Sequence, residues 1–514
     1  MLGPQWVRVK RCPVQERRAQ CLLLSLCLVA MAATAWLVCL PQPPRLGKAT
    51  TGDPALAARV RAAVSDADGF RGLSVAVVDR GRTAFAGLGD SGNREHPAVG
   101  ESTVFEVGSI GKPMTGMLLS SLADKRRLDI GKPLGDLLPR TYFSDPALAS
   151  VTLTDLLTHR SGLGPMPAGL DTTRRDLELR LLGRDPYHGL TEQDVFSAAA
   201  NAPLGAPGNY VYSNLGVALA GQTAARVVGA PYEELLQEEV IGPLGMKNTG
   251  VVQRAEDIPR RSASGMKGSG PAMDHWTASG FTPAGDVWST SSDLALLLRA
   301  ISTGAAPGAV NSTRPLHALG PTDHVGLGWN ISRAEGRDVL WHNGETGGFT
   351  SFVALDRTTD RGVVVLSNTD KPVDSIGRRL LGIDEGAGDR SYETSWGGPL
   401  TVLFSLGAGL PALWTAARRR QPERHCRTRM AVDVLCGICM LAVTWRLGAW
   451  LAVPPGTWGV GLVLLTAGTW LFLLRLRDTE DAAGVTEGPQ RPARPVPFVA
   501  GRAAVLAAAV VTLI

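Results

Sequence analysis

Three short clusters in this 514-residue chain carry side chains able to break a carbonyl–heteroatom bond. The first is Phe105-Glu106-Val107-Gly108-Ser109-Ile110-Gly111-Lys112. Gly108 allows a tight entry into a helix that begins at or just after Ser109. Residues three apart on a helix share a face, so the Lys112 amine can lie against the Ser109 hydroxyl. A serine hydroxyl is a poor nucleophile until a neighbouring base takes its proton. A lysine serves as that base only where burial and nearby donors disfavour its charged form. Lysine is scarce here, eight among 52 basic residues, and arginine stays protonated. A lysine beside a serine is therefore informative, although about one S-x-x-K arises by chance in two such chains.

The second cluster is Tyr212-Ser213-Asn214, ahead of a helical pattern. A phenol can relay a proton and a carboxamide can hold a substrate amide. The same tripeptide also suits a plain helix start, with Asn214 as N-cap and Tyr212 as a packing residue. The third is Trp341-His342-Asn343-Gly344-Glu345-Thr346-Gly347-Gly348-Phe349. A polar strand ending in glycine lets an extended substrate approach the backbone closely. The Glu345 backbone N–H can join that of Ser109 as an oxyanion hole. Taken alone, a histidine such as His342 is more often structural than catalytic.

Taken in order, S-x-x-K, then Y-x-N about 100 residues on, then H-x-G about 130 further, the clusters resemble the serine β-lactamases and penicillin-binding-protein-like hydrolases. The likeness is to the subgroup with Tyr in the second motif: class C β-lactamases, D-aminopeptidases and related esterases. Residues 153–163 (LTDLLTHRSGL), 241–246 (IGPLGM), Pro283-Ala284-Gly285 and 289–294 (STSSDL) also look like that family, and the resemblance covers about residues 60–370. It implies Ser109 as acyl-accepting nucleophile, Lys112 as general base and Tyr212 as general acid/base. Asn214, His342, Gly344 and Glu345 would bind substrate. His159 is expected to pack within its own turn. His342 stands where β-lactamases of the family usually have Lys. A neutral imidazole binds a substrate carboxylate more weakly than an ammonium, which favours amidase, peptidase or esterase chemistry over β-lactam or D-Ala-D-Ala cleavage. No metal or organic cofactor is implied.

The elements that must position these groups follow from patterning. Residues 73–78 and 83–89, joined by Asp79-Arg80-Gly81, read as a β-hairpin. Strand-like runs return at 326–332, 349–356 and 362–368, with helical patterns between them at 114–128, 153–158, 215–228 and 291–302. Strands at both ends with helices between predict an α+β fold, β-lactamase/transpeptidase-like: an antiparallel sheet flanked by helices, plus a helical subdomain.

Beyond the globular domain, expected over 52–390, the composition changes. Hydrophobic residues make up 44% of the chain and charged ones 19%, below the roughly 25% usual for soluble proteins. A basic N-terminus (1–20) precedes an apolar run at 21–40, a signal anchor or signal peptide. A C-terminal transmembrane helix bundle is expected at 398–514, with spans at 400–417, 430–453 and 458–474 and a fourth at 498–514. The 418–429 loop holds six Arg whereas Pro454-Pro455-Gly456-Thr457 has no charge. The positive-inside rule then makes the first loop cytosolic and the hydrolase domain extracytoplasmic, in the cell membrane. A net charge of +5 excludes a nucleic-acid binder driven by a broad basic surface. No Cys lies between 40 and 425, excluding a disulfide scaffold or Cys-ligated metal there.

This layout looks like that of the membrane-bound colibactin-maturing peptidases, which remove an N-acyl-D-amino-acid cap from an exported natural-product precursor. Glu106 matches an acidic position in that group, suited to a polar side chain or amine of the substrate. It reads equally as a first-turn helix carboxylate. The partners so implied are a small peptide or acyl-D-amino-acid substrate, membrane lipid, an exporter, and a second copy of the chain through the bundle.

Overall fold

A computed structural model describes residues 40–383, apart from 140, 141, 144, 168 and 335, together with 396–418 and 424–483. The basic N-terminus, all but the last residue of the expected anchor, and the fourth span lie outside these. The chain divides into two compact units, residues 43–392 and the segments 1–42 and 393–514.

The first unit is built on a nine-stranded antiparallel sheet: β1 (Thr50–Gly52), β2 (Gly72–Asp79), β3 (Arg82–Gly89), β4 (His317–Ala318), β5 (Asp323–Val325), β6 (Asn330–Ala334), β7 (Arg337–Glu345), β8 (Thr350–Asp356) and β9 (Arg361–Ser367). The spatial order is β1-β3-β2-β9-β8-β7-β6-β5-β4. The N-terminal hairpin meets the C-terminal strands where β2 pairs β9, with Val75 opposite Val365 and Val77 opposite Val363. These central strands are runs of Val, Leu and Ala because both faces are covered. On one face lie α1 (Pro54–Ala63) and a late helix, Asp374–Leu381; Leu56, Val60, Phe352, Val363 and Ile376 form that core. The larger core on the other face receives the helices inserted between the hairpins.

Those helices include α2 (Gly111–Asp124), α3 (Leu170–Leu182), α4 (Glu192–Ala200), α5 (Asn214–Val228) and α6 (Ser291–Ser302). Helix α2 is buried along nearly its whole length, through Met114, Met117, Leu118 and Leu122. The expected α+β fold is what the chain adopts.

In the second unit, the expected first span is two helices, Gly397–Gly407 and Leu410–Ala417. Pro411, at the start of the second, cannot donate to the carbonyl one turn back, so the helix breaks there. The next helix, Arg424–Leu447, ends six residues before the expected limit at 453, and the last runs Gly456–Ala483. Gly397–Ala417, Arg427–Leu447 and Gly456–Arg475 are long and apolar enough to cross a membrane. Trp450 and Trp458 are buried within this unit and donate their indole N–H groups to the Trp445 and Leu441 carbonyls. Asp433 is buried and accepts from Thr415 Oγ1 at 2.6 Å.

Candidate active site

Ser109 sits in a single 3₁₀ turn, Gly108–Ile110, that leads straight into α2. Gly108 takes φ +52°, and a side-chain carbon there would lie 2.7 Å from the backbone nitrogen and oxygen of Glu345. Only glycine accepts both that conformation and that contact. The end of β7 is pressed equally hard on the same turn. A side-chain carbon at Gly344 would fall 2.1 Å from the Val107 carbonyl and 3.0 Å from the Ser109 nitrogen. Ser351 Oγ, from β8, clamps the turn by donating to the Val107 carbonyl at 2.7 Å.

The β7–β8 ladder decides where the Glu345 amide points. Thr346 N–H bonds the Phe349 carbonyl, and Glu345 lies opposite Thr350. Antiparallel pairs alternate between bonded and non-bonded, so the Glu345 N–H turns away from β8, towards the nucleophile turn. The expected pairing of the Ser109 and Glu345 amides thus has the required neighbours.

Lys112 lies in the first turn of α2, fully buried. Its amine donates to Ser109 Oγ at 2.7 Å and to the Ala284 carbonyl at 2.7 Å. Burial pulls its pKa down to about 7, opposed by attraction from Asp286. The positive end of the α2 dipole also disfavours an ammonium there. Tyr212 completes the cluster: its hydroxyl is 2.8 Å from Ser109 Oγ, and the Lys112 amine stands 4.9 Å from the centre of its ring. Burial raises the phenol to about 12, so it stays protonated at neutral pH. One hydroxyl, one amine and one phenol, 103 residues apart at the extremes, meet within hydrogen-bond reach.

The remaining expected site residues arrive with different surroundings. Ser213, not Asn214, caps α5, accepting from Gly216 N–H at 2.8 Å. Asn214 is therefore released from capping. Its amide nitrogen donates to the Tyr187 hydroxyl at 3.1 Å, and its buried Oδ1 has no hydrogen-bond partner among the described residues. His342 reaches the cluster but is buried, with Nδ1 2.5 Å from the Asn343 carbonyl. Burial and the nearby Lys112 lower its pKa to about 3, so it carries no charge for a substrate carboxylate. Glu106 lies in a two-residue strand paired with Trp288–Ser289, which removes the helix-dipole explanation for it. It is 3% exposed; Oε1 meets His275 Nδ1 at 2.8 Å and the Trp276 N–H at 3.2 Å, while Oε2 is unpartnered among the described residues.

Several neighbours had no signal of their own in the sequence. The Ala284 carbonyl and the buried Asp286 approach from the Pro283-Ala284-Gly285 stretch and the residue after it, which only family likeness marks. Burial lifts Asp286 to about 7, against hydrogen bonds from Ser279 and Thr282. His159 does more than pack in its turn. Its ring lies 4.6 Å from that of Tyr212, and its Nδ1 accepts the Ser213 N–H at 3.1 Å. Among the described residues no His/Cys/Asp/Glu cluster is arranged to hold a metal.

The sequence model of the beta-lactamase family matches residues 57–386. The chain belongs to the beta-lactamase family. It is similar to the D-alanyl-D-alanine-carboxypeptidase/endopeptidase AmpH of Escherichia coli, 26% identical over 365 residues that cover 66% of this chain and 88% of that protein. It is also similar to a beta-lactamase of Pseudomonas fluorescens, 24% identical, covering 59% and 89%. Among solved structures, a class C beta lactamase from Rhodobacter sphaeroides superposes with a TM-score of 0.54 at 22% identity, over 64% of this chain and 98% of that one. That likeness carries the fold. As a member of the beta-lactamase family the chain falls among serine hydrolases of the β-lactamase and D-Ala-D-Ala carboxypeptidase type.

Proposed function

We propose that this beta-lactamase family member is a membrane-tethered serine hydrolase that works outside the cytosol through an acyl-enzyme on Ser109. Its bond is an amide next to a D-amino acid, as in removal of an N-acyl-D-amino-acid cap from an exported natural product. The observation that carries the reading is the Ser109 hydroxyl held 2.7 Å from the Lys112 amine and 2.8 Å from the Tyr212 phenol. A lysine with a pKa of about 7 is half unprotonated at neutral pH and takes the Ser109 proton as the oxygen attacks the carbonyl carbon. The Ser109 and Glu345 amides receive the oxyanion. The protonated Tyr212 hands a proton to the departing nitrogen and takes one back from the Lys112 ammonium, so the proton lost by Ser109 ends on the released amine. Water then repeats the sequence on the ester and frees the acid.

The neutral, buried His342 supports a substrate without an obligatory terminal carboxylate, since no ammonium stands at that position. The arginine-rich 418–429 loop against the uncharged 454–457 loop supports the extracytoplasmic side. A fluorophosphonate probe tests the core: full-length protein becomes labelled and Ser109→Ala does not. Labelling that survives the substitution refutes the assignment. Protease accessibility of the domain in intact cells tests its side. Acyl-D-amino-acid amides, compared with acyl esters, nitrocefin and D-Ala-D-Ala peptides, separate this peptidase from an esterase, a β-lactamase or a cell-wall enzyme. Stable acylation without turnover of any of them marks a non-catalytic sensor instead.

A further inference from the structure

The two donors of the oxyanion hole come from different elements, the Ser109 amide from the nucleophile turn and the Glu345 amide from the end of β7. Each is fixed within its own element. The first internal bond of the turn runs from the Ile110 N–H to the Val107 carbonyl at 3.3 Å, and β7 is paired along its length with β8. The spacing between the two amides is therefore set by how the turn is seated on the sheet.

A residue of β8 governs that seating. Ser351 lies opposite Gly344 in the β7–β8 ladder, so its side chain and the bare Cα of Gly344 share one face of the sheet. A side-chain carbon at Gly344 would fall 2.5 Å from Ser351 Oγ, 2.1 Å from the Val107 carbonyl and 3.0 Å from the Ser109 nitrogen. The missing side chain is thus the opening through which the Ser351 hydroxyl passes β7 to reach the Val107 carbonyl at 2.7 Å. A carbonyl accepts and cannot donate, so the serine proton lies on this contact. Ser351 is 1% exposed and Val107 is fully buried, and a buried hydrogen bond is costly to leave unmade. The hydroxyl is also carried on a strand paired on both sides, since Ser351 faces Leu366 of β9 as well as Gly344.

We propose that Ser351 is a positioning residue for acyl transfer: its hydroxyl holds the nucleophile turn against β7 and so keeps the Ser109 and Glu345 amides at the spacing an oxyanion requires. This rests on the hydrolase reading above and adds to it a residue that touches neither the substrate nor the reacting atoms. Without the hydroxyl, the Val107 carbonyl keeps the 3.3 Å bond of its own turn, and the turn is free to rise off β7. A misplacement of about 1 Å in such a group costs about a hundredfold in rate. Lys112 is anchored separately, by the Ala284 carbonyl at 2.7 Å, so its proton affinity should not follow the turn.

The test uses the detergent-solubilised full-length protein and two probes that differ in one atom, a fluorophosphonate and the matching fluorophosphonothioate. With either probe, Ser109 Oγ attacks phosphorus and fluoride leaves. The P=O oxygen accepts from the hole, whereas the P=S sulfur is a weak acceptor, so the ratio of the two labelling rates reads the hole. Ser351→Ala removes one atom from a doubly paired strand, and thermal denaturation checks that the variant is folded. Labelling by the oxygen probe should slow about a hundredfold and labelling by the sulfur probe far less, so that the ratio falls about tenfold or more. The acid limb of labelling, set by Lys112 at about pH 7, should stay in place. An unchanged ratio, equal slowing of both probes, or a displaced limb overturns the proposal. Absence of labelling in the parent protein refutes the nucleophile assignment itself, so the two failures are distinguishable.

Discussion

Acidifying the medium should switch this enzyme off through Lys112, and the structure sets where. The amine is fully buried at the N-terminal turn of α2, and its pKa falls from 10.5 to about 7, mainly by desolvation. Only the uncharged amine accepts the Ser109 proton. With a pKa of 7, about half the molecules are competent at pH 7, about a tenth at pH 6 and about a hundredth at pH 5. Tyr212, raised to about 12, adds no descending limb below pH 10. The second-order rate of fluorophosphonate labelling, measured from pH 5 to 9, should therefore rise tenfold per unit at the acid end and level off above about pH 8. The sign also reaches stability. A lysine depressed in the fold binds fewer protons there than in the unfolded chain, so its contribution improves as pH rises from about 7 to 10.5 and is fully unfavourable below 7. Lys112→Met should flatten that dependence in thermal denaturation while abolishing labelling. A labelling rate that is flat from pH 5 to 9, or a limb centred near the ordinary lysine value, refutes Lys112 as the base.

Tyr212→Phe keeps the ring against His159 and removes only the hydroxyl. Turnover of an amide substrate should fall by about 10²–10⁴, whereas labelling by a probe with a good leaving group should fall far less; equal losses in both would contradict a role in protonating the leaving group. Gly344→Ala inserts a carbon 2.1 Å from the Val107 carbonyl and 3.0 Å from the Ser109 nitrogen, so β7 must move off the nucleophile turn. Loss of oxyanion alignment predicts a drop of about 10²–10³ in kcat, and an unchanged kcat in a folded variant would show that the Glu345 amide is not used.

The pieces legible in the sequence were those whose chemistry is local. Ser109 and Lys112 are three residues apart at a helix start, and the apolar 73–78 and 83–89 runs flank a short turn, so short windows suffice. Partners that arrive through space carry no such mark. His275 reaches Glu106 across 169 residues, and the Ala284 carbonyl reaches Lys112 across 172. Asp286 looks like any loop carboxylate until the fold buries it. Helix α3 has no helical signature in the sequence because its LDTTRRDLELRLL run holds no clean apolar stripe; none of residues 171–182 is buried. The first membrane-length run read as one helix because Pro411 sits in an apolar context, and hydropathy does not register a missing N–H.

Asp286 is where the electrostatics of the site can be tested independently of the nucleophile. It is buried, lifted to about 7 by desolvation, and contributes the one attractive charge that opposes the fall in the Lys112 pKa. Two groups that both titrate near neutrality behave as a pair, sharing protons between an ionised and a neutral arrangement. Asp286→Asn preserves the acceptor for Ser279 Oγ at 2.7 Å and removes the charge. The ammonium form of Lys112 then loses that opposing charge, its pKa falls further, and the acid limb of labelling should move to lower pH, leaving the variant more active than the parent at pH 5 relative to its own plateau. Were Asp286 instead the base, the substitution would abolish the limb with the activity. A limb that stays in place, or moves to higher pH, rules out the coupling between this carboxylate and the lysine.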